Sequence, residues 1–208
     1  MVVYDLDGVI TTKDTFASML TRRLLASPWR LVRARTAVMS WARSTQTEDK
    51  AAAAREITEI TLSGMGHSEY VAHVEALGAR LGGDPRWVRS STVDRIKRQY
   101  ESGARIVIAT ATEETLASAL LKRAQVPHHN LSASQVAEQH GGVAIVDHRI
   151  VQRKADALLE AGVPMQNAEF VTDSMADLPT ARLARHVVII GASARTHREY
   201  SEARHLAT

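Results

Sequence analysis

The chain has 208 residues, 45% of them hydrophobic, with a net charge of +3 and no cysteine. That length carries one medium domain, or a core domain with an insert, and enough apolar material for a sizeable core. Without cysteine there are no disulfides, thiolate metal sites or cysteine nucleophiles, so any metal has to be held by oxygen or imidazole. The charge is too mild to argue for nucleic acid. No apolar run nears the roughly 20 residues of a membrane span, and Asp5 interrupts any leader at the start. A cytoplasmic protein without stable membrane insertion is therefore expected.

Val2 to Tyr4 reads as a short buried strand, broken by Asp7-Gly8. From Asp14 to about Glu101 the pattern is almost wholly helical. The first helix runs from Asp14 to Leu25, with Phe16, Met19, Leu20 and Leu24 recurring on one face. Ser27-Pro28 marks the start of a second, reaching about Arg43. A third spans Thr47 to Leu62, and Gly64-Met65-Gly66 breaks the pattern. A fourth covers His67 to Leu81, stopped by Gly82-Gly83, and Asp84-Pro85 starts a fifth.

After Gly103 the texture changes. The β-branched run RIVIAT, Arg105 to Thr110, predicts a buried strand. A helix over Glu113 to Ala124 follows, then a short strand near Asn130 to Ser132 and a strand or hairpin arm over Gly142 to Val146. Arg153 to Ala161 is helical, Ala168 to Asp173 a strand, Leu178 to Ala184 a short helix and His186 to Gly191 a last strand. The tail from Ala192 reads as helix or frayed chain. Strands alternating with helices predict an α/β fold with a doubly wound parallel sheet. The helical block of residues 14–101 is too long for one crossover and reads as an inserted all-α module. Residues 1–13 and 102–208 then form the core.

Ligands of an open parallel sheet bind at the carboxyl ends of its strands. Three strand ends here carry polar groups. The first ends in Asp5-Leu6-Asp7, the second in Thr110 with Thr112 close behind, and the third in Asp173 with Asp177 four residues on. Such clustered carboxylates raise one another's pKa, and a hard cation relieves the repulsion. Mg²⁺ suits a few carboxylates with water and phosphate oxygens, which points to phosphoryl transfer. One aspartate can act as the nucleophile, and a second, pointing differently, can serve as general acid and then base. A lysine completes the set by holding phosphoryl oxygens. Lys154, at the start of a helix leading into the Asp173 strand, is the stronger candidate, and Lys122 is the rival.

In this order the motifs VVYDLDGVI, IVIAT, Lys154 and TDSMADLP resemble the haloacid dehalogenase-like (HAD) hydrolase superfamily along the whole chain. The all-helical block between the first two motifs is similar to the cap of its phosphoserine-phosphatase-like branch. The resemblance implies a Rossmann-like core and a Mg²⁺-dependent phosphomonoesterase acting on a small phosphorylated metabolite. It implies that Asp5 attacks phosphorus and that Asp7 protonates the leaving oxygen and later activates water. Mg²⁺ would be held by the carboxylates of Asp5 and Asp173 and the backbone carbonyl of Asp7, with Asp177 in support. Thr110 and Lys154 would hold phosphoryl oxygens. The pair of aspartates argues against a true dehalogenase, which needs no acid for a halide.

Two positions depart from the family pattern. Thr172 stands where glycine is common. Asp14, nine residues after Asp5, stands where the phosphoserine phosphatases carry a glutamate that recognises the substrate amine. Phosphoserine is therefore not carried over as substrate. A phosphotransferase or mutase on the same site, and a non-catalytic phosphometabolite-binding module, remain alternatives. The retained acid and nucleophile weigh against the latter.

Other features have bland readings. Arg30, Arg33, Arg35 and Arg43 lie among apolar residues. An anionic substrate entrance or a basic amphipathic helix at a membrane surface would explain them. The favoured reading is a cap helix with its apolar stripe packed inward and its arginines in water. His128, His129, His140 and His148 match no helical metal-ligand spacing and read as loop histidines. Trp29, Trp41 and Trp87 read as packing residues of the cap.

Overall fold

The computed structural model describes residues 1–44, 46–139 and 142–205. In chain order its elements are β1 (Val2–Tyr4), α1 (Thr15–Leu25), α2 (Pro28–Arg43), α3 (Thr47–Leu62), α4 (His67–Gly82), α5 (Ser90–Glu101), β2 (Ile106–Glu113) and α6 (Glu114–Arg123). There follow β3 (Asn130–Gln139), β4 (Gly142–Asp147), α7 (Gln152–Glu160), β5 (Glu169–Thr172), α8 (Leu178–Leu183), β6 (His186–Ile189) and α9 (Ala194–His205). The strands form one six-stranded sheet in the order β4-β3-β2-β1-β5-β6, parallel except for the β3-β4 pair. The α/β fold with helices on both sides of a largely parallel sheet follows the sequence expectation.

β1 is short but central, and all three of its residues are buried. Side chains alternate across a strand, so Val2 and Tyr4 point to one face and Val3 to the other. On the first face they join Ile106 and Ile108 of β2, Val93 and Ile96 of α5, and Leu120 and Leu121 of α6. On the second, Val3 joins Val107 and Phe170 under Leu158 of α7, Ala181 of α8 and Tyr200 of α9. This two-sided burial is what makes β1 and β2 continuous apolar runs.

α5 thus lies on the sheet, although it closes the helical block of residues 14–101. The Tyr4 hydroxyl donates to Gln99 at 2.6 Å, and Arg95 pairs with Glu169 at 2.8 Å. α4 rests on α6, and a third cluster joins Phe16 and Met19 of α1, Leu62 of α3 and Val74 of α4 to Leu116 of α6 and Val143 of β4. α2 lies in the helical block, away from the sheet core. It packs mainly on α3, burying only Ala34 and Ala37.

Four details depart from the sequence expectation. β3 runs to Gln139 instead of stopping near Ser132, because its second half pairs antiparallel with β4. That half is polar and half-exposed, so it lacks the apolar signal of a buried strand. α5 begins at Ser90, not at Asp84. Asp84-Pro85 forms a turn in which the Asp84 carboxylate accepts the Arg86 N–H at 2.9 Å. The turn leads Val88 into a bridge with Thr11. The apolar residues of α2 do not pack inward, since the helix meets its neighbour through alanines and leaves Trp29, Val32 and Met39 exposed. Of the three tryptophans, Trp87 is buried while Trp29 and Trp41 are not.

Candidate active site

Register builds the site. Tyr4 pairs with Ile108 of β2 on one side and Val171 of β5 on the other. The next residue, Asp5, therefore emerges level with the ends of both neighbours, and its N–H donates to the Val171 carbonyl at 2.9 Å. The chains leaving β1, β2 and β5 enclose a crevice of about 560 Å³ whose walls include Asp5, Asp7, Lys154, Asp173 and Asp177.

Asp5 is buried, and its Oδ1 accepts from the Leu6 N–H at 2.9 Å and from Lys154 Nζ at 3.0 Å. Lys154 Nζ also donates to Asp177 Oδ1 at 2.6 Å, while Asp177 Oδ2 accepts from the Thr172 hydroxyl at 2.7 Å. Lys154 is only 4% exposed, so this is a buried ion cluster in which one ammonium serves two carboxylates. Burial favours neutral lysine, but Asp177 and Asp5 outweigh it and hold the ammonium above its ordinary range. Burial pushes Asp5 well above the carboxylate range, Lys154 opposes, and Asp177 and Asp7 add to the push. Immediately before α7, Val151 holds a φ of +49°, a strained conformation for a β-branched residue, at the crevice wall.

The Asp7 side chain turns elsewhere. Its Oδ1 accepts from the Thr15 N–H at 2.8 Å and the Thr15 hydroxyl at 2.9 Å. Its Oδ2 accepts from the hydroxyls of Thr112 at 2.7 Å and Thr110 at 3.3 Å. The two aspartates thus have separate partner sets, one built on a lysine and the other on threonines.

Asp173 lies across the crevice against Gly8. A Cβ on Gly8 would fall 1.9 Å from Asp173 Oδ2, and φ at Gly8 is +78°, so this turn needs glycine. Burial and then the Asp177 charge push the Asp173 carboxyl up to about 6, with Asp7 adding and Lys154 opposing. Among the described residues no three His, Asp or Glu side chains converge as a ligand group for a metal. Asp177 is taken up by Lys154 and Thr172, and the Asp7 carboxylate by threonines. What faces the crevice is Asp5 Oδ2, without a hydrogen bond among the described residues, together with the Asp173 carboxylate. Two hard oxygen donors, each pushed up by burial and by the Asp177 and Asp7 charges, fit a cation that keeps much of its water, as Mg²⁺ does.

The expected residues come together unequally. Asp5, Asp7, Lys154, Asp173 and Asp177 line the crevice, whereas Thr110 does not. The Thr110 oxygen accepts the Thr112 N–H at 3.0 Å where the register of β2 against β3 shifts, and its hydroxyl proton is directed at Asp7. Lys122 is exposed on α6 and lines a different cavity, with Glu75 and His128. Asp14 reaches the crevice, but its Oδ1 caps α1 by accepting the Ala17 N–H at 2.7 Å. Of the histidines, His129 accepts the Ile106 N–H at 3.1 Å and His140 lies outside the described residues. His148 is buried, and burial and then Arg55 lower its pKa to about 4 against Asp147.

Sequence reasoning missed three supports. Thr15 is a major holder of Asp7, and its only sequence signal is a hydroxyl residue just after a helix N-cap. Arg89 donates to the Gly8 carbonyl at 3.1 Å from the turn before α5. Tyr200 of α9 donates to the Ser174 carbonyl at 2.7 Å and clamps the Asp173 loop. Neither contact leaves a mark in local sequence.

The family model for haloacid dehalogenase-like hydrolases matches residues 2–182. Several solved structures share the fold at low identity. A protein of unknown function from Bordetella pertussis Tohama I is 20% identical, with a TM-score of 0.74 over 98% of this chain and 95% of that one. A phosphoserine phosphatase, solved as a phospho-aspartyl intermediate analogue, is 12% identical, with a TM-score of 0.63 over 95% of this chain and 88% of that one. Cytosolic 5'-nucleotidase IIIB bound to cytidine is 12% identical, with a TM-score of 0.64 over 98% of this chain and 76% of that one. No curated protein matches the sequence.

Proposed function

The chain belongs to the haloacid dehalogenase-like hydrolases, and on that premise we propose that it is a Mg²⁺-dependent phosphatase of a small phosphorylated metabolite. The observation that carries this reading is the division of labour between Asp5 and Asp7. They are one residue apart and share a crevice, yet one is held by Lys154 and the other by threonines.

Asp5 Oδ2 attacks the phosphorus of the ester. The bond to the leaving oxygen breaks as Asp7 delivers a proton to it, and the phosphoryl group rests on Asp5. Asp7, now a carboxylate, takes a proton from water, which attacks the same phosphorus and frees phosphate and Asp5. Lys154 opposes the burial that favours a protonated Asp5, and lies within reach of the phosphoryl oxygens. The threonines fix the direction of Asp7, which positions the proton donor without touching substrate. Mg²⁺, held by the Asp5 and Asp173 carboxylates and the Asp7 backbone carbonyl, would neutralise charge on the transferring group.

The helices α1 to α4 serve as the cap, and Trp41, Lys50 and Ala54 bring α2 and α3 to the crevice wall. They face the leaving group and select it. Asp14 is committed to capping α1, so recognition of a substrate amine at that position is not part of this reading.

The test is phosphate release from a panel of phosphomonoesters, with Mg²⁺ or a chelator, by wild type and Asp5→Asn. Metal-dependent turnover that falls at least ~1,000-fold in the variant is expected. Folded protein that turns over no ester, or a variant as active as wild type, would overturn the reading.

A further inference from the structure

Seven of the ten exposed large hydrophobic side chains among the described residues fall between Leu25 and Trp41. Trp29 is 70% exposed, Leu25 63%, Val32 56% and Met39 46%. Ala34 and Ala37 are the buried residues of α2 and set its inner face. At 100° per residue Val32 and Met39 then lie at the centre of the outer face, with Arg35 and Arg43 beside them. Trp29 and Arg33 form one flank, and Leu31 and Val38 the other.

The charge of this segment is of one sign. Residues 22–43 hold six arginines and no aspartate, glutamate or lysine. Arg23 donates to the Thr61 carbonyl at 2.9 Å. None of the other five is ion-paired among the described residues. A helix face that mixes aliphatic, tryptophan and arginine side chains matches the boundary between headgroups and acyl chains, where the rings and stems bury and the guanidiniums meet phosphate.

We propose that the outer face of α2, with the end of α1, docks on a lipid surface rich in anionic headgroups, α2 lying in the plane of the interface. Charge decides the occupant. A second copy seated face to face on a two-fold axis would set arginines against arginines, whereas an anionic surface pairs with the exposed Arg33, Arg35 and Arg43. The helix has 16 residues and four arginines, so it lies on the bilayer and does not cross it. No helix among the described residues is long and apolar enough to cross. At 100° per residue Trp41 falls on the same side of α2 as Ala34 and Ala37 and lines the crevice wall, so the docked face is the side turned away from the crevice.

The test is co-sedimentation of the full chain with vesicles of mixed phosphatidylglycerol and phosphatidylcholine, and with vesicles of phosphatidylcholine alone, at low and high salt. Binding to the anionic vesicles at least about tenfold stronger than to the neutral ones, and weakened by salt, is expected. Val32→Asp and Arg35→Gln should each weaken it by about tenfold while circular dichroism and melting temperature stay unchanged. Asp5→Asn should bind as wild type does, which separates this surface from the phosphatase reading. No binding, equal binding to both vesicles, or binding indifferent to Val32→Asp overturns the proposal. So does a concentration-dependent dimer that Val32→Asp dissociates in the absence of vesicle binding, which would assign the face to a second copy.

Discussion

The strand-end crevice and the outer face of α2 are both charged, and they obey different rules. In the crevice every buried charge has a partner at hydrogen-bond distance: Lys154 lies between Asp5 and Asp177, and Asp177 also takes the Thr172 hydroxyl. On α2 the arginines stand in water beside exposed tryptophan, valine and methionine, and none of the helix's own arginines has an ion-pair partner among the described residues. A buried charge left unpaired costs several kcal/mol, so burial dictates what stands opposite. An exposed charge carries almost no such cost and leaves its surroundings open. The first region is determined from inside the fold, and the second by whatever meets it from outside.

The largest effect should come from removing the centre of the buried cluster. Lys154→Met leaves Asp5 and Asp177 facing each other without a cation, which should cost about 3–5 kcal/mol in urea unfolding and abolish turnover. Adding Asp177→Asn should return part of that stability, because the repulsion disappears with the second charge, but not the activity. If Lys154→Met unfolds at the wild-type midpoint, the crevice is not governed by charge pairing and the contrast with α2 is lost.

The same difference decided what could be read in advance. The ends of three apolar runs locate Asp5, Thr110 and Asp173, because buried parallel strands announce themselves and the carboxyl ends of such strands meet. Lys154 follows from its place at a helix start. Thr15, Arg89 and Tyr200 did not emerge, since each reaches the site through a tertiary contact that no local pattern records. The strand-end pattern puts Thr110 in the site, but its hydroxyl serves the irregular end of β2 and Asp7, a matter of side-chain direction. The apolar residues of the α2 segment suggest an inward-packed stripe, but they stay exposed. The helix meets its neighbour through two alanines, and the large side chains are surplus to the fold.

An intermediate effect is expected at the seam where α4 meets α6. Gly78 lies inside α4, where alanine would ordinarily gain about 1 kcal/mol in helix propensity. Here a Cβ would fall 2.6 Å from the Leu116 carbonyl and 2.7 Å from the Ala119 Cβ, and a backbone oxygen cannot step aside as a flexible side chain can. Gly78→Ala should therefore destabilise by about 1–3 kcal/mol as α4 is pushed off α6. A melting temperature above wild type would mean that the seam is loose and that α4 is held as lightly as α2.

The smallest effect belongs to α2 itself. In vesicle-free solution, Val32→Ser and Trp29→Ser should each change unfolding free energy by no more than about 0.5 kcal/mol, since neither side chain is buried against the rest of the chain. Exposed hydrophobic groups also gain little on folding, because water covers them in both states. The outcome that would break the comparison is a loss above about 1 kcal/mol that grows with protein concentration, because stability gained from association rises with the concentration of the partner. That result would show the face already covered in solution by another copy. A flat response leaves the surplus apolar surface without any role in folding, and only an external partner then accounts for it.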